Sequence, residues 1–361
     1  MRVGLLYGLG PQDAAERYAS AFAQIYEADR LGVDSVLFEE HHGMSGCPAL
    51  APLVSAAASR TRSIRVGSAN RQLTLDHPVS TAEDFAVADL VSGGRVILGV
   101  SPGEEPEAFR AAGVPWAERD ERFFEAVDLV RAAWTQDLFQ FVGEHYQFPL
   151  GAEGGPGWRR QPCSPPHIEP WRRGQVIPQH LSVMPKPAQL PHPPLWVAAH
   201  RRGTIEWAGR RGLTYLCPSI ATEGEVRERV GWYLDALAAA GRSPLEVEVA
   251  VAREVFLAAD GERAREIALP ALRAFVDAQR VASTEDTAGL SLIAGASEQD
   301  LLDSCFLIGS PCEVVDRIKA LQADLGITHL VCRVHRPGIA HVDVIEAIRL
   351  LAAQVTTRLA A

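Results

Sequence analysis

An apolar run over residues 34–38, DSVLF, passes directly into Glu39, Glu40, His41 and His42. Two carboxylates and two imidazoles side by side can ligate a metal ion, brace a loop, or transfer protons near neutral pH. Adjacent residues on an extended chain point to opposite sides, so His41 and His42 do not readily share one metal. The sequence has no HxH or HExxH spacing either, and no metal site is expected. Two readings stay open: a histidine hydrogen-bonded beneath a mouth of strands, and an imidazole that faces a pocket. A second reactive stretch is AAHRRGTIEWAGRRG, residues 198–212. There an apolar run enters Gly203 and Thr204 and then a helical pattern carrying Ile205, Trp207 and Ala208. Free N–H groups at a helix start, a threonine hydroxyl and the guanidiniums of Arg201 and Arg202 could bind an anion. The same residues could equally be a helix cap with two solvated arginines.

Positioning these groups falls to alternating strands and helices. Short runs that are apolar on both faces suggest strands at 3–7, 34–38, 64–70, 95–100, 195–199, 213–217, 247–258 and 329–334. Helical spacing of apolar residues marks Ala15–Leu31, Thr81–Val91, Glu118–Trp134 and Glu223–Ala240. Eight strands with intervening helices fit an α/β architecture, the (β/α)8 barrel. A doubly wound sheet is the alternative, but no GxGxxG follows an early strand. In a barrel, chemistry collects at the C-terminal strand ends. Here those ends carry Glu40, His41 and His42; Ser68 and Asn70; Ser101 and Gly103; His200 to Thr204; and Arg333, His335 and Arg336.

The chain's 361 residues are read as a single barrel domain, with 47% hydrophobic and 22% charged residues. A formal charge of -10 without a Lys/Arg-rich run argues against nucleic acid. No apolar run reaches the roughly 18 residues of a membrane span, and MRVGLLYGLG lacks the features of a signal peptide. Six scattered cysteines without a CxxC pair suggest buried thiols in a reducing compartment, so a cytoplasmic protein is expected. Two segments break the alternation. Residues 149–195 hold 12 of the 24 prolines and are expected to form a surface insertion. The polar, Gly-containing interval 280–300 is expected to act as a lid.

At these motifs the sequence resembles the bacterial-luciferase-like family of flavin-dependent monooxygenases. The carriers are FEEHHG (38–43), the strand–helix–strand block at 64–103, RDERFFEAVDLVRAAW (119–134), GEHYQFP (143–149), residues 191–212, and 308–331, all in family order. The resemblance implies a TIM barrel that uses reduced FMN (FMNH2), delivered by a separate flavin reductase. It also implies O₂ activation through a C4a-hydroperoxide, oxygenation of a small organic substrate, and a homodimer. His41 matches the family's catalytic imidazole, with His42 and Glu40 supporting it. Ala69 and Asn70 match a position beneath the flavin ring that often has a non-prolyl cis peptide. Ser101, His200, Arg201 and Thr204 match cofactor-binding positions, the last two at the phosphate. There are departures: Ala108 replaces an acid, and Ser101 and Pro102 replace a reactive cysteine and a phosphate-contacting arginine of light-emitting members. Hydride transfer with the deazaflavin F420 on the same barrel is the alternative activity, and flavin binding without turnover is a third reading.

Overall fold

The computed structural model describes residues 1–11, 13–42, 47, 49–149, 180–282 and 297–360. The chain forms two compact units. The first, Met1–Arg71 with Ile97–Val100 and Pro194–Ala361, contains the barrel. Its strands are β1 (Arg2–Tyr7), β2 (Ser35–Phe38), β3 (Arg65–Gln72), β4 (Val96–Ser101), β7 (Leu195–Ala198), β8 (Thr214–Cys217), β9 (Val249–Leu257) and β11 (His329–Arg333). They hydrogen-bond in the order β1-β2-β3-β4-β7-β8-β9-β11, and β11 pairs back to β1, closing a parallel TIM barrel. Every residue of β2, β4, β7, β9 and β11 is buried, which is why these runs lack a polar face. All eight strands read from the sequence are barrel strands.

One strand of the main sheet was not anticipated. β10 (Phe306–Gly309) lies outside the ring and pairs with the far half of β9, from Phe306 opposite Glu254 to Gly309 opposite Leu257. The near half of β9 pairs with β8 and β11. Glu254 therefore sits where the strand leaves the barrel wall.

Leu6, Leu37, Ala69, Ile97, Trp196, Ala198, Leu216, Ala250, Ala252 and Val331 form the barrel core. Strand alternation fixes which later residues share that inner face. Two glycines let β3 and β4 approach closely: a Cβ on Gly67 would meet the Ile97 carbonyl oxygen at 2.0 Å, and one on Gly99 the Ser68 oxygen at 2.3 Å. At the N-terminal barrel end, His329 Nε2 lies 3.0 Å from Ser35 Oγ and Nδ1 lies 3.4 Å from Arg65. Trp196 packs edge-on against that ring at 4.9 Å.

Helices α1 (Ala14–Arg30), α2 (Leu50–Arg60), α6 (Arg202–Arg211), α7 (Glu223–Ala239), α8 (Gly261–Ala282), α9 (Glu298–Ser304), α10 (Pro311–Leu325) and α11 (His341–Leu350) belong to the first unit. Reciprocal side-chain and backbone bonds start α7 at Thr222/Glu225 and α10 at Ser310/Glu313. Among the described residues no helix is long and apolar enough to cross a membrane.

The second unit, Gln72–Val96 with Ser101–Pro193, holds α3 (Pro78–Ser92), α4 (Pro106–Ala112), α5 (Arg119–Thr135) and a hairpin of β5 (Phe141–Val142) and β6 (Gln147–Phe148). Asp89 is its hub, accepting from the Gln189 backbone at 2.9 Å, the Gln189 amide at 2.7 Å and the Val96 N–H at 3.2 Å. Of the proline-rich insertion, residues 150–179 lie outside the described residues. Its end packs within this unit, where Lys186 donates to the carbonyls of Ala133 and Gln136 at 2.7 and 2.6 Å. Of the expected lid, residues 283–296 lie outside the described residues.

Candidate active site

The four titratable residues after β2 separate into two pairs by alternation. Glu40 and His42 continue the outward side of Phe38, and Glu39 and His41 continue the inward side of Leu37. Each histidine lies near the carboxylate two residues before it: His42 Nε2 is 3.5 Å from Glu40 Oε1, and His41 Nε2 is 3.7 Å from Glu39 Oε2.

The outward pair ties strands together. Glu40 is 0% exposed, ion-pairs with Arg71, and donates its backbone N–H to Asn70 Oδ1 at 2.8 Å. Asn70 returns a bond to the Glu40 carbonyl at 3.3 Å. Its side chain is thus engaged in joining β2 to β3. The Ala69–Asn70 peptide is trans, contrary to the expectation drawn from the family. Among the described residues the cis bonds are Phe148–Pro149, Met184–Pro185 and Leu190–Pro191. A non-prolyl cis bond costs roughly 3–4 kcal/mol, and nothing in a regular parallel strand compensates for it.

The inward pair belongs to a chain of buried charges. Glu39 contacts Arg333, whose Nε lies 3.0 Å from Glu254 Oε1. Arg336 grips Glu254 with a fork, Nε to Oε2 at 2.9 Å and Nη2 to Oε1 at 2.5 Å, and its guanidinium lies 3.6 Å above the Phe275 ring. Burial alone would raise the Glu39 pKa. Arg333 and His41 outweigh it and hold this carboxyl well below the usual carboxylate range. Burial, then the positive Arg17, Arg333 and Arg336, push His335 down to about 4. Sequence reading singled out Arg333, His335 and Arg336 but passed over Arg253 and Glu254. The available signal was an Arg-Glu pair inside the otherwise apolar run at 247–258. Arg253 points the other way and donates to the Ala221 carbonyl at 3.0 Å.

The fifth barrel strand delivers the second group. β7 is followed by His200 and by Arg201, the N-cap of α6, whose side chain makes no capping bond. Gly203 has open space where a Cβ would stand, and Thr204 is buried at 2% exposure. The two arginines differ. Arg202 is turned along its own helix to Glu206 at 2.6 Å and toward Trp232. Arg201 is exposed, with no ion-pair partner among the described residues. Ser101, the last residue of β4, belongs to the second unit and is buried. Ala108 is buried in α4, whereas Glu107 beside it is exposed and pairs with Arg110 at 3.5 Å. Among the described residues no group of three or more His, Cys, Asp or Glu could hold a metal ion.

A closed parallel barrel with titratable groups gathered after its strands defines a TIM-barrel enzyme site. The family model described as luciferase-like monooxygenase matches residues 1–329, and the chain belongs to that family. It is 23% identical over 311 residues, 82% of this chain and 78% of the other, to the oxygenase component of the flavin-dependent trigonelline monooxygenase of Acinetobacter baylyi. It is 27% identical over 347 residues, 91% and 90%, to the F420-dependent glucose-6-phosphate dehydrogenase of Amycolatopsis mediterranei. A match at 27% identity to the uncharacterized protein y4wF of Sinorhizobium fredii spans about half the length of that relative, 53%, and 58% of this chain. The crystal structure of monooxygenase RslO1 from Streptomyces bottropensis superposes with a TM-score of 0.80 at 23% identity, covering 99% of this chain and 100% of the other.

Proposed function

We propose that this protein is an FMN-dependent monooxygenase that inserts one oxygen atom of O₂ into a small organic substrate. The observation that carries the reading is the start of α6. Uncapped backbone N–H groups, the open side of Gly203, the Thr204 hydroxyl and the Arg201 guanidinium, without an ion-pair partner among the described residues, form a donor set suited to a phosphate monoester. Arg201 and Thr204 would hold the FMN phosphate, with His200 beside them and Ala69 and Asn70 toward the ring. When bound, reduced FMN supplies the two electrons that activate O₂, and a separate flavin reductase would deliver it. His41 holds or releases a proton at Nε2, and ionised Glu39 orients that ring and stabilises its charged form.

The F420-dependent relative, aligned over 91% of this chain, favours hydride transfer with F420 as a second reading. Titrating flavin-free protein with FMN, reduced FMN and F420, followed by absorbance and fluorescence, separates the two. Arg201→Ala should weaken reduced-FMN binding by about 1–3 kcal/mol, the scale of a charge-assisted contact. Unchanged affinity in both Arg201→Ala and Thr204→Val would move the phosphate elsewhere. Tight F420 binding with no affinity for reduced FMN would replace the monooxygenase reading.

A further inference from the structure

We propose that Glu254 and Arg336 are positioning residues that set the proton affinity of His41 through the charge chain Arg336–Glu254–Arg333–Glu39. The inference rests on His41 as the proton-handling group and adds the two residues beyond its carboxylate partner.

Each member is held by geometry. Glu39 Oε2 faces His41 Nε2 and Oε1 faces Arg333, so this one carboxylate joins the imidazole to the chain. Arg333 lies between two carboxylates, Glu39 and Glu254. Its single positive charge is therefore divided, which leaves Glu39 more negative toward His41 than an exclusive pair would. Arg336 restores neutrality by gripping Glu254 with both of its parallel donors, an arrangement that fixes orientation as well as charge. Two positive and two negative groups alternate. Glu254 is 2% exposed and Arg333 7%, so water and salt screen them poorly. A charge removed at the far end is felt at the near end.

Other titratable groups surround this end of β2. They are Tyr18 of α1 against Cys47, which is bridged to His41; His335 with Arg17 near it; and the outward set Glu40, His42 and Arg71. Of these, His335 is held down in part by Arg336 and would rise toward its ordinary value in Arg336→Gln, so Glu254→Gln is the cleaner of the two substitutions.

The test uses the full-length, flavin-free protein. The His41 ring is titrated by NMR, its signal assigned by its loss in His41→Asn. Glu254→Gln leaves an uncompensated positive charge and should lower the midpoint. Arg336→Gln leaves an uncompensated negative charge and should raise it. Each shift should be about 0.5–1 pH unit, the scale of one charge acting over roughly 10 Å at an effective dielectric constant of about 20–40. A purely bracing role would lower the thermal midpoint of both variants without splitting the titrations. Unmoved midpoints, or midpoints that move together, overturn the proposal; if one variant does not fold, the sign in the other decides. The measurement needs no flavin. Opposite shifts in a protein that binds no FMN would sustain the charge chain while removing the monooxygenase reading.

Discussion

Both ends of the barrel hold a histidine, a carboxylate and an arginine. At the N-terminal end they are His329, Asp34 and Arg65; at the C-terminal end they are His41, Glu39 and Arg333. The same residue types are put to different uses, and enclosure makes the difference. His329 is 0% exposed. Arginine can only donate, so Arg65 fixes His329 Nδ1 as an acceptor and leaves the proton on Nε2, toward Ser35 and Asp34. Burial pushes its pKa down to about 3, the neighbouring Asp34 opposing and Arg65 reinforcing the shift. That ring is a neutral strut. The His41 side chain is 37% exposed and lies 3.7 Å from an ionised carboxylate. It stands partly open to solvent.

Three measurements sharpen or break this contrast. The largest expected effect is on chemistry at the open end. His41→Ala should cut turnover by about 10²–10⁴-fold with little change in thermal midpoint, and His42→Ala should do less because its ring faces Glu40. Single-turnover oxidation of bound reduced flavin, with product set against hydrogen peroxide released, reads this out. Wild-type rate and coupling in His41→Ala would erase the distinction. Next comes stability at the closed end. His329→Ala should destabilise the fold by about 2–4 kcal/mol, through a cavity and the orphaned Ser35 hydroxyl, without changing flavin affinity. Urea unfolding would show it, and a loss confined to activity would contradict it.

The smallest effect is a pH slope. His329 and His335 have folded pKa values of about 3 and about 4, below the unfolded value near 6.5. Between those limits the unfolded chain binds more protons, so stability rises with pH and is lost as pH falls below about 6.5. Each group contributes up to about 1.4 kcal/mol per pH unit in that window. Urea melts between pH 7 and 5.5 should be flatter in His329→Asn, with the His335 share remaining. An unchanged slope would mean that the buried ring is already charged.

Much of this was legible in the sequence. Strands covered on both faces are mostly apolar, so all eight barrel strands announced themselves. Alternation alone separated His41 from His42, whereas the family resemblance named Glu40 as the carboxylate supporting His41 and the structure places Glu39 beside it. Cross-strand pairing left no such trace. Glu254 meets Arg333 only because β9 and β11 are neighbours in the ring, with Glu254 opposite Arg333 in register. Four short residues, Phe306–Gly309, gave no strand signal because their only partner is the overhanging half of β9. At the start of α6, the residues alone left the two adjacent arginines equivalent until Glu206, one helical turn on, claimed Arg202.

Ring closure pairs Arg2 with His329 and Leu5 with Cys332, the first strand with the last. On a ribosome adding about 5–20 residues per second, one edge of β1 would wait roughly twenty seconds to a minute for its partner. Throughout that interval it presents unpaired N–H and C=O groups, a natural client for a holding chaperone. Glu39 waits equally long for Arg333. The nascent chain thus carries His41 and Glu39 from the start but gains Arg333, the partner of Glu39, only on closure, so on the proposed reading reactivity and completed folding arrive together.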